Sequence, residues 1–353
     1  MTRRTAAGLL AIGLIAVGLI VAFFLPVNYV TLQPGPTVNV LGNYGGKKIL
    51  DISGHKTYTD NGELRMLTVY QSGPDERLNL GEALGGWISR NTALVPRSAV
   101  FGKADTSKSV QQQSAVEMSD SQDDATAAAL TADGIAYKTT VVISATEKGA
   151  PADGKIKPGD IILAVNGVPT TGADQLIKQV RALSPGTIIN VRLRRNDKDQ
   201  TVSMKSIAAP DDPKSARIGV SPGERYVFPF NVDIRLGDDI GGPSAGMMFA
   251  LSIYDMLTPG SLTGGKTIAG TGEITAAGAV GPIGGIGQKM IGAQRAGARL
   301  FIMSADNCSE AAHSYYNHKQ MLLVKVHTLA EAIKAVNTWR TDPTSPSLPR
   351  CTK

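Results

Sequence analysis

Two glycine-rich stretches of this chain place a hydroxyl and an amine where covalent chemistry is possible. The first is Gly241-Gly242-Pro243-Ser244-Ala245-Gly246; the second is Pro282-Ile283-Gly284-Gly285-Ile286-Gly287-Gln288-Lys289, and Thr271-Gly272-Glu273-Ile274 lies between them. A seryl hydroxyl is a weak nucleophile at neutral pH until a base takes its proton. Glycines let a substrate come close to the backbone, and backbone N–H groups can stabilise a developing oxyanion. Gly242, Pro243 and Ala245 are therefore the expected oxyanion region. The simpler role for Ser244 is a helix N-cap, since serine readily accepts a bond from an unpaired N–H of the first turn.

The base is the next question. The histidines are His55, His313, His318 and His327, and none stands in a glycine-rich or tightly specified neighbourhood. Lysine is the other choice. Its ammonium must lose a proton to act as a base, and burial favours that loss because desolvation penalises the charged form. Lys289 shares its segment with Ile286, Met290, Ala293 and Gly297 at helical spacing. Periodicity alone does not separate a buried lysine from a surface one.

Local pattern supplies the supporting elements. Residues 226–235 alternate from Phe228 and predict a half-buried strand, with Pro229 suggesting an edge. Residues 244–257 are rich in Ala, Met, Leu and Ile and predict a buried helix with Ser244 at its N-terminus.

The three blocks, in this order, resemble the Lon-type peptidase domain, a Ser-Lys dyad family, over roughly residues 217–340. The resemblance implies Ser244 as nucleophile, Lys289 as base and Thr271 as the residue that hydrogen-bonds the lysine. It also implies polypeptide substrates and a homo-oligomeric, often hexameric, ring. One departure stands out. The family commonly has Asp before Gly-Pro-Ser, and this chain has Gly241, with Asp238 and Asp239 nearby as alternative carboxylates.

Residues 131–210 carry Pro158-Gly159-Asp160-Ile161-Ile162 and Val165-Asn166-Gly167, which resemble a PDZ domain. Such a groove takes an extended chain end as an added strand. Its carboxylate loop is expected near Ile135, Ala136 and Tyr137, and the domain either binds peptide or gates the peptidase.

Residues 5–45 carry no charge, and nearly every residue from 6 to 27 is apolar. A run of about 20 apolar residues is long enough to cross a bilayer as a helix. Arg3 and Arg4 precede it, which predicts a cytoplasmic N-terminus and an extracytoplasmic bulk in the cell membrane. No small-x-small cleavage site follows it, as a cleaved signal peptide would require. On that topology Cys308 and Cys351 fall in an oxidising compartment and are either bonded or two free thiols.

Other function classes receive less support. The net charge of +6 is spread along the chain, without a basic run for nucleic acid. Residues 260–267, Gly-Ser-Leu-Thr-Gly-Gly-Lys-Thr, satisfy the P-loop expression. A P-loop follows a strand and opens a helix, whereas this one follows the predicted helix and leads into a strand. With no room for an ATPase module, no nucleotide, metal or other cofactor is expected.

The expectation is an α+β multidomain chain: cytoplasmic tip 1–5, transmembrane helix 6–27, an α/β segment 28–130, PDZ domain 131–210, Lon-type proteolytic domain 217–340 and a Pro-rich tail 341–353. Its expected function is ATP-independent serine endopeptidase action on unfolded or tagged proteins. The alternative is an inactive membrane-tethered PDZ adaptor that binds polypeptide C-termini.

Overall fold

The structure, a computed structural model, describes residues 3–237 and 240–351. Asp238 and Asp239, raised above as alternative carboxylates, lie outside the described residues. The helices among the described residues are α1 (Arg3–Phe23), α2 (Leu80–Ile88), α3 (Ser107–Ala132), α4 (Ala173–Arg181), α5 (Gly246–Leu257), α6 (Ile286–Arg295), α7 (Cys308–His313) and α8 (Leu329–Thr341). The chain forms two compact units, residues 1–135 with 230–353, and residues 136–229 inserted between them.

The discontinuous unit is built on a six-stranded mixed sheet. Its order is Leu322–Val326, Leu300–Ser304, Thr267–Thr271, Glu63–Gln71, Tyr29–Asn39, Ala93–Pro96. The first four strands run parallel and the last two pair antiparallel. Parallel strands covered on both faces read as continuous apolar runs, and Leu300–Ser304 is buried at every residue. The segment before residue 130 therefore supplies three strands of the sheet that carries the candidate chemistry.

Three elements differ from the sequence expectation. The strand expected over 226–235 is two strands. Val220–Val227 pairs with Lys138–Thr146 in the inserted unit, while Asn231–Ile234 pairs with Leu50–Ser53 in the other. Each finds a partner remote in sequence, and Pro229, which has no N–H to give a ladder, falls in the break. The inserted unit consequently runs to 229 rather than 210. The helix after Ser244 starts at Gly246 with Ala245 as N-cap, so Ser244 precedes the helix and does not cap it.

The third difference is α3, 26 residues long, where the sequence suggested polar chain and a short helix over 119–129. Its N-terminal half lacks an apolar stripe, which hides it from periodicity. A capping box of Thr106 and Ser109 starts it, and its C-terminal half buries Ala125, Thr126, Ala127, Ala128, Ala129 and Leu130. It packs against α5.

The C-terminal segment is tied down. Lys325 N donates to Pro349 O at 2.9 Å and Cys351 N to Leu323 O at 3.0 Å, which covers the open edge of Leu322–Val326. Cys308 and Cys351 form a disulfide with Cα atoms 5.6 Å apart.

The inserted unit is an antiparallel sheet in the order Lys198–Lys205, Ile188–Arg195, Ile161–Val165, Lys138–Thr146, Val220–Val227, with α4 as its helix. Val141, Ile143, Ile162, Leu176, Ile189 and Val191 belong to its core. Asn166 and Gly167 both have positive φ and make the tight turn into Val168–Pro169.

Helix α1 is 21 residues long and exposes Leu9, Leu10, Ile12, Leu14 and Ile15. Among the described residues no helix is long and apolar enough to cross a membrane. The anchor expected over 6–27 is thus a matter of proposal.

Candidate active site

Ser244 and Lys289 meet. Lys289 Nζ donates to Ser244 Oγ at 2.7 Å and to Thr271 Oγ1 at 3.0 Å. Thr271 Oγ1 in turn donates to the Ser244 carbonyl at 2.9 Å. That bond commits the threonine proton, so its lone pair faces the lysine and fixes the amine beside the serine.

The supporting backbone explains the glycines. Gly285 has φ +70° and opens α6, a left-handed conformation that costs a residue with a Cβ. Four residues on, Lys289 points inward on a helix whose residues Gln288, Met290, Ile291, Gly292 and Ala293 are also buried. Across the site, Gly272 N donates to Ser244 O at 2.9 Å and Met247 N to Gly272 O at 3.0 Å, stitching the Ser244 loop to the end of Thr267–Thr271.

Lys289 is 2% exposed and Thr271 fully buried. Burial pulls the lysine from its usual 10.5 down to about 7, with Glu273 opposing the shift only in part. Glu273 is itself raised, by burial first and then by Glu117, with Lys289 opposing. Desolvation therefore does what the chemistry asks: near neutral pH a large fraction of Lys289 is the free amine, able to accept a proton.

The oxyanion region needs a correction. Gly242 N donates to Ser114 O at 2.9 Å, so its N–H is committed, and Pro243 has none to offer. Among the described residues the N–H groups of Ser244 and Ala245 have no protein acceptor. They are the pair free to receive an oxyanion. A cavity of about 530 Å³ opens over Ser244 and Lys289, lined also by Leu67, Thr68 and Tyr70 of Glu63–Gln71 and by Ser114 and Met118 of α3.

Gly241 has a packing reason. A Cβ there would stand 2.8 Å from Ser114 Cβ and 3.3 Å from the Ser114 carbonyl, so any side chain would collide with α3. Sequence reasoning missed Ser114 and Ser121. Nothing in an unpatterned polar stretch marks the turn of helix that lies against a loop more than a hundred residues away.

The other predicted positions fall elsewhere. Ile135 N donates to Leu130 O and closes α3, and the Tyr137 ring meets Tyr226 and Phe228. These positions do not line the inserted unit's groove. A cavity of about 310 Å³ lies between α4, through Leu176, Ile177 and Val180, and residues 216–222. Val220–Val227 is the last strand of its sheet and leaves one edge unpaired, so the groove forms at a strand that comes late in the chain. Gly219 before it has φ +75°, and Arg217 Nε is buried without a partner.

The glycine loop at 260–267 is already occupied. Asp60 accepts Ser261 Oγ at 2.7 Å, Thr263 N at 2.9 Å and Thr263 Oγ1 at 2.7 Å. The loop follows α5 and enters Thr267–Thr271.

Residues 239–338 match the Lon protease (S16) C-terminal proteolytic domain. Residues 115–205 match the PDZ domain family. The chain is 37% identical over 95 residues to a Lon protease of Desulforamulus reducens, covering 27% of this chain and 12% of that protein. It is 34% identical over 125 residues to Lon protease 2 of Herpetosiphon aurantiacus, covering 34% of this chain and 15% of that protein. The chain thus spans only 12% and 15% of the length of these Lon relatives. Among solved structures, the PDZ domain of an SdrC-like protein from Listeria monocytogenes is 18% identical with a TM-score of 0.22, covering 23% of this chain and 85% of that one. The Lon-like segment contains Ser244, Thr271 and Lys289 together.

Proposed function

We propose that the chain is a serine endopeptidase working through a Ser244–Lys289 dyad. The observation that carries this reading is a buried lysine amine with a pKa near 7, 2.7 Å from a seryl oxygen. Neutral Lys289 takes the Ser244 proton as Oγ attacks the peptide carbonyl carbon, and the N–H groups of Ser244 and Ala245 hold the oxyanion. Collapse breaks the C–N bond while the lysine ammonium protonates the departing amine. Water then attacks the acyl ester, gives a proton to Lys289, and releases the acid as Ser244 Oγ regains its hydrogen.

The reaction is proposed to run without ATP. The commitment of the 260–267 loop to Asp60 supports this, since its donors are unavailable to a phosphate. Substrates are proposed to be unfolded or C-terminally exposed polypeptides. Supporting this are the unpaired edge of Val220–Val227 and the cavity beside it, which suit an added strand. The membrane anchor with an extracytoplasmic bulk rests on the uncharged N-terminal stretch behind Arg3 and Arg4. A ring of identical chains rests on resemblance alone and is checked by mass photometry in detergent.

The adaptor alternative drew on Gly241. The approach of Ser114 gives that glycine a packing reason, so it no longer argues for lost activity. The test is cleavage of casein without ATP by the detergent-solubilised chain, its Ser244→Ala and Lys289→Ala variants serving as controls. Cleavage by the parent and silence of both variants is expected. A silent parent overturns the peptidase reading in favour of the adaptor.

A further inference from the structure

Serine and threonine inside a helix ordinarily satisfy their hydroxyls on the carbonyl one turn back. Two residues of α3 do so: Thr126 donates to Gln122 O and Thr131 to Ala127 O, each at 2.8 Å. Ser121 does not. Its hydroxyl, on a residue 4% exposed, crosses to the nucleophile loop and donates to the Pro243 carbonyl at 3.0 Å. The approach is tight enough to dictate a residue on α5. A Cβ on Gly246 would lie 2.7 Å from Ser121 Oγ and 2.8 Å from Ile274 Cγ2.

The Pro243 carbonyl is one edge of a planar peptide whose other edge is the Ser244 N–H. Among the described residues there is no cis peptide, so the two groups point in opposite directions. A hydroxyl that holds the carbonyl therefore sets the direction of the N–H. Ser121 and Pro243 line one cavity together with Glu273, while Ser244 and Lys289 line a different one. Two turns earlier on α3 the Ser114 carbonyl takes the Gly242 N–H, holding the Gly241–Gly242 peptide as well. The N–H aimed by this clamp is one of the two that have no acceptor among the described residues.

We propose that Ser121 is a positioning residue that aims the Ser244 N–H at the oxyanion of the acyl-transfer transition state. The inference rests on the peptidase reading and adds to it a residue from outside the Lon-like segment. Its action is on a group that matters most in the transition state, so its loss lowers kcat and leaves KM nearly unchanged.

The experiment compares the full-length parent with Ser121→Ala and Ser121→Cys. Active sites are counted with a fluorophosphonate, and a peptide boronic acid, whose tetrahedral adduct on Ser244 places an oxygen at the oxyanion position, probes the donor. For Ser121→Ala, kcat per counted site is expected to fall by about tenfold or more, with KM within about twofold, and the boronate Ki to rise by the same factor as kcat/KM falls. Ser121→Cys, a weaker donor of similar size, recovers part of both, and it carries the test should the alanine variant fail to fold. A kcat per counted site unchanged within twofold overturns the proposal, as does a loss of kcat that leaves the boronate Ki in place. A parent that hydrolyses nothing removes the peptidase reading itself, which is a different result from an active parent indifferent to Ser121.

Discussion

Helix α5 is preceded and followed by glycine-rich loops that look alike in sequence. One holds Ser244; the other holds Ser261, Thr263 and Lys266. In the second loop the hydroxyls are spent on Asp60, whose carboxyl burial raises but the bonds from Ser261, Thr263 and Gly62 together lower, and Leu262 N donates to Asp255. Lys266 reaches the Arg340 carbonyl and lies over the Trp339 ring. In the first loop the serine faces a buried amine, and among the described residues the N–H groups of Ser244 and Ala245 have no acceptor. Glycine content is common to both loops. On the proposed reading, reactivity follows instead from a desolvated lysine and from donors that have no acceptor among the described residues.

The comparison breaks first on activity. Ser244→Ala and Lys289→Ala are expected to lower kcat by about a thousandfold or more, as loss of a nucleophile or its base does. Ser261→Ala and Lys266→Met are expected to stay within about twofold, measured on casein without ATP. A comparable loss from the second loop would reverse the assignment.

Burial of Lys289 predicts a stability that depends on pH. A lysine depressed in the folded state binds fewer protons there than when unfolded, so stability rises with pH between about 7 and 10.5. The slope is at most about 1.4 kcal/mol per pH unit. Urea unfolding of the Ser244→Ala chain should show this rise, and adding Lys289→Met should remove it.

Thr271→Val keeps the shape but loses both hydroxyl bonds. A fall in kcat of about 10- to 100-fold is expected from a base no longer held in line, with folding preserved by circular dichroism. An unchanged kcat would mean that Ser244 alone orients the lysine.

How much of this was legible in the sequence follows from the range of the signals. The glycine and proline punctuation around Ser244 is local and marked that residue, whereas Thr271 and Lys289 were reached through the resemblance to the Lon-type peptidase domain and not from spacing alone. Burial of Lys289 was not legible, because the apolar spacing of Ile286, Met290 and Ala293 marks one face of the helix while its burial extends to Gln288, Lys289, Ile291 and Gly292 as well. Helix α3 was hidden for the opposite reason, being polar where it meets the nucleophile loop. The division of 226–235 into two strands depended on partners at Lys138–Thr146 and Leu50–Ser53, which no local pattern encodes.

The smallest expected effect belongs to the structural loop. Asp60→Asn should cost about 1–3 kcal/mol through its lost hydrogen bonds while kcat stays unchanged. Since the Asp60 carboxyl is lowered on folding, its contribution is full above the ordinary carboxylate range and is lost as pH falls through the folded value. Acid unfolding of Asp60→Asn should therefore begin from a lower starting stability and show less pH dependence there.

The most direct test of the dyad is the rate at which a fluorophosphonate labels Ser244, followed by peptide mass from pH 5 to 9 in the parent and in Lys289→Ala. A neutral lysine base predicts labelling that rises about tenfold per pH unit and levels off above a pH near 7, with the rise absent in the variant. A rate independent of pH, or one that Lys289→Ala leaves unchanged, would contradict the account.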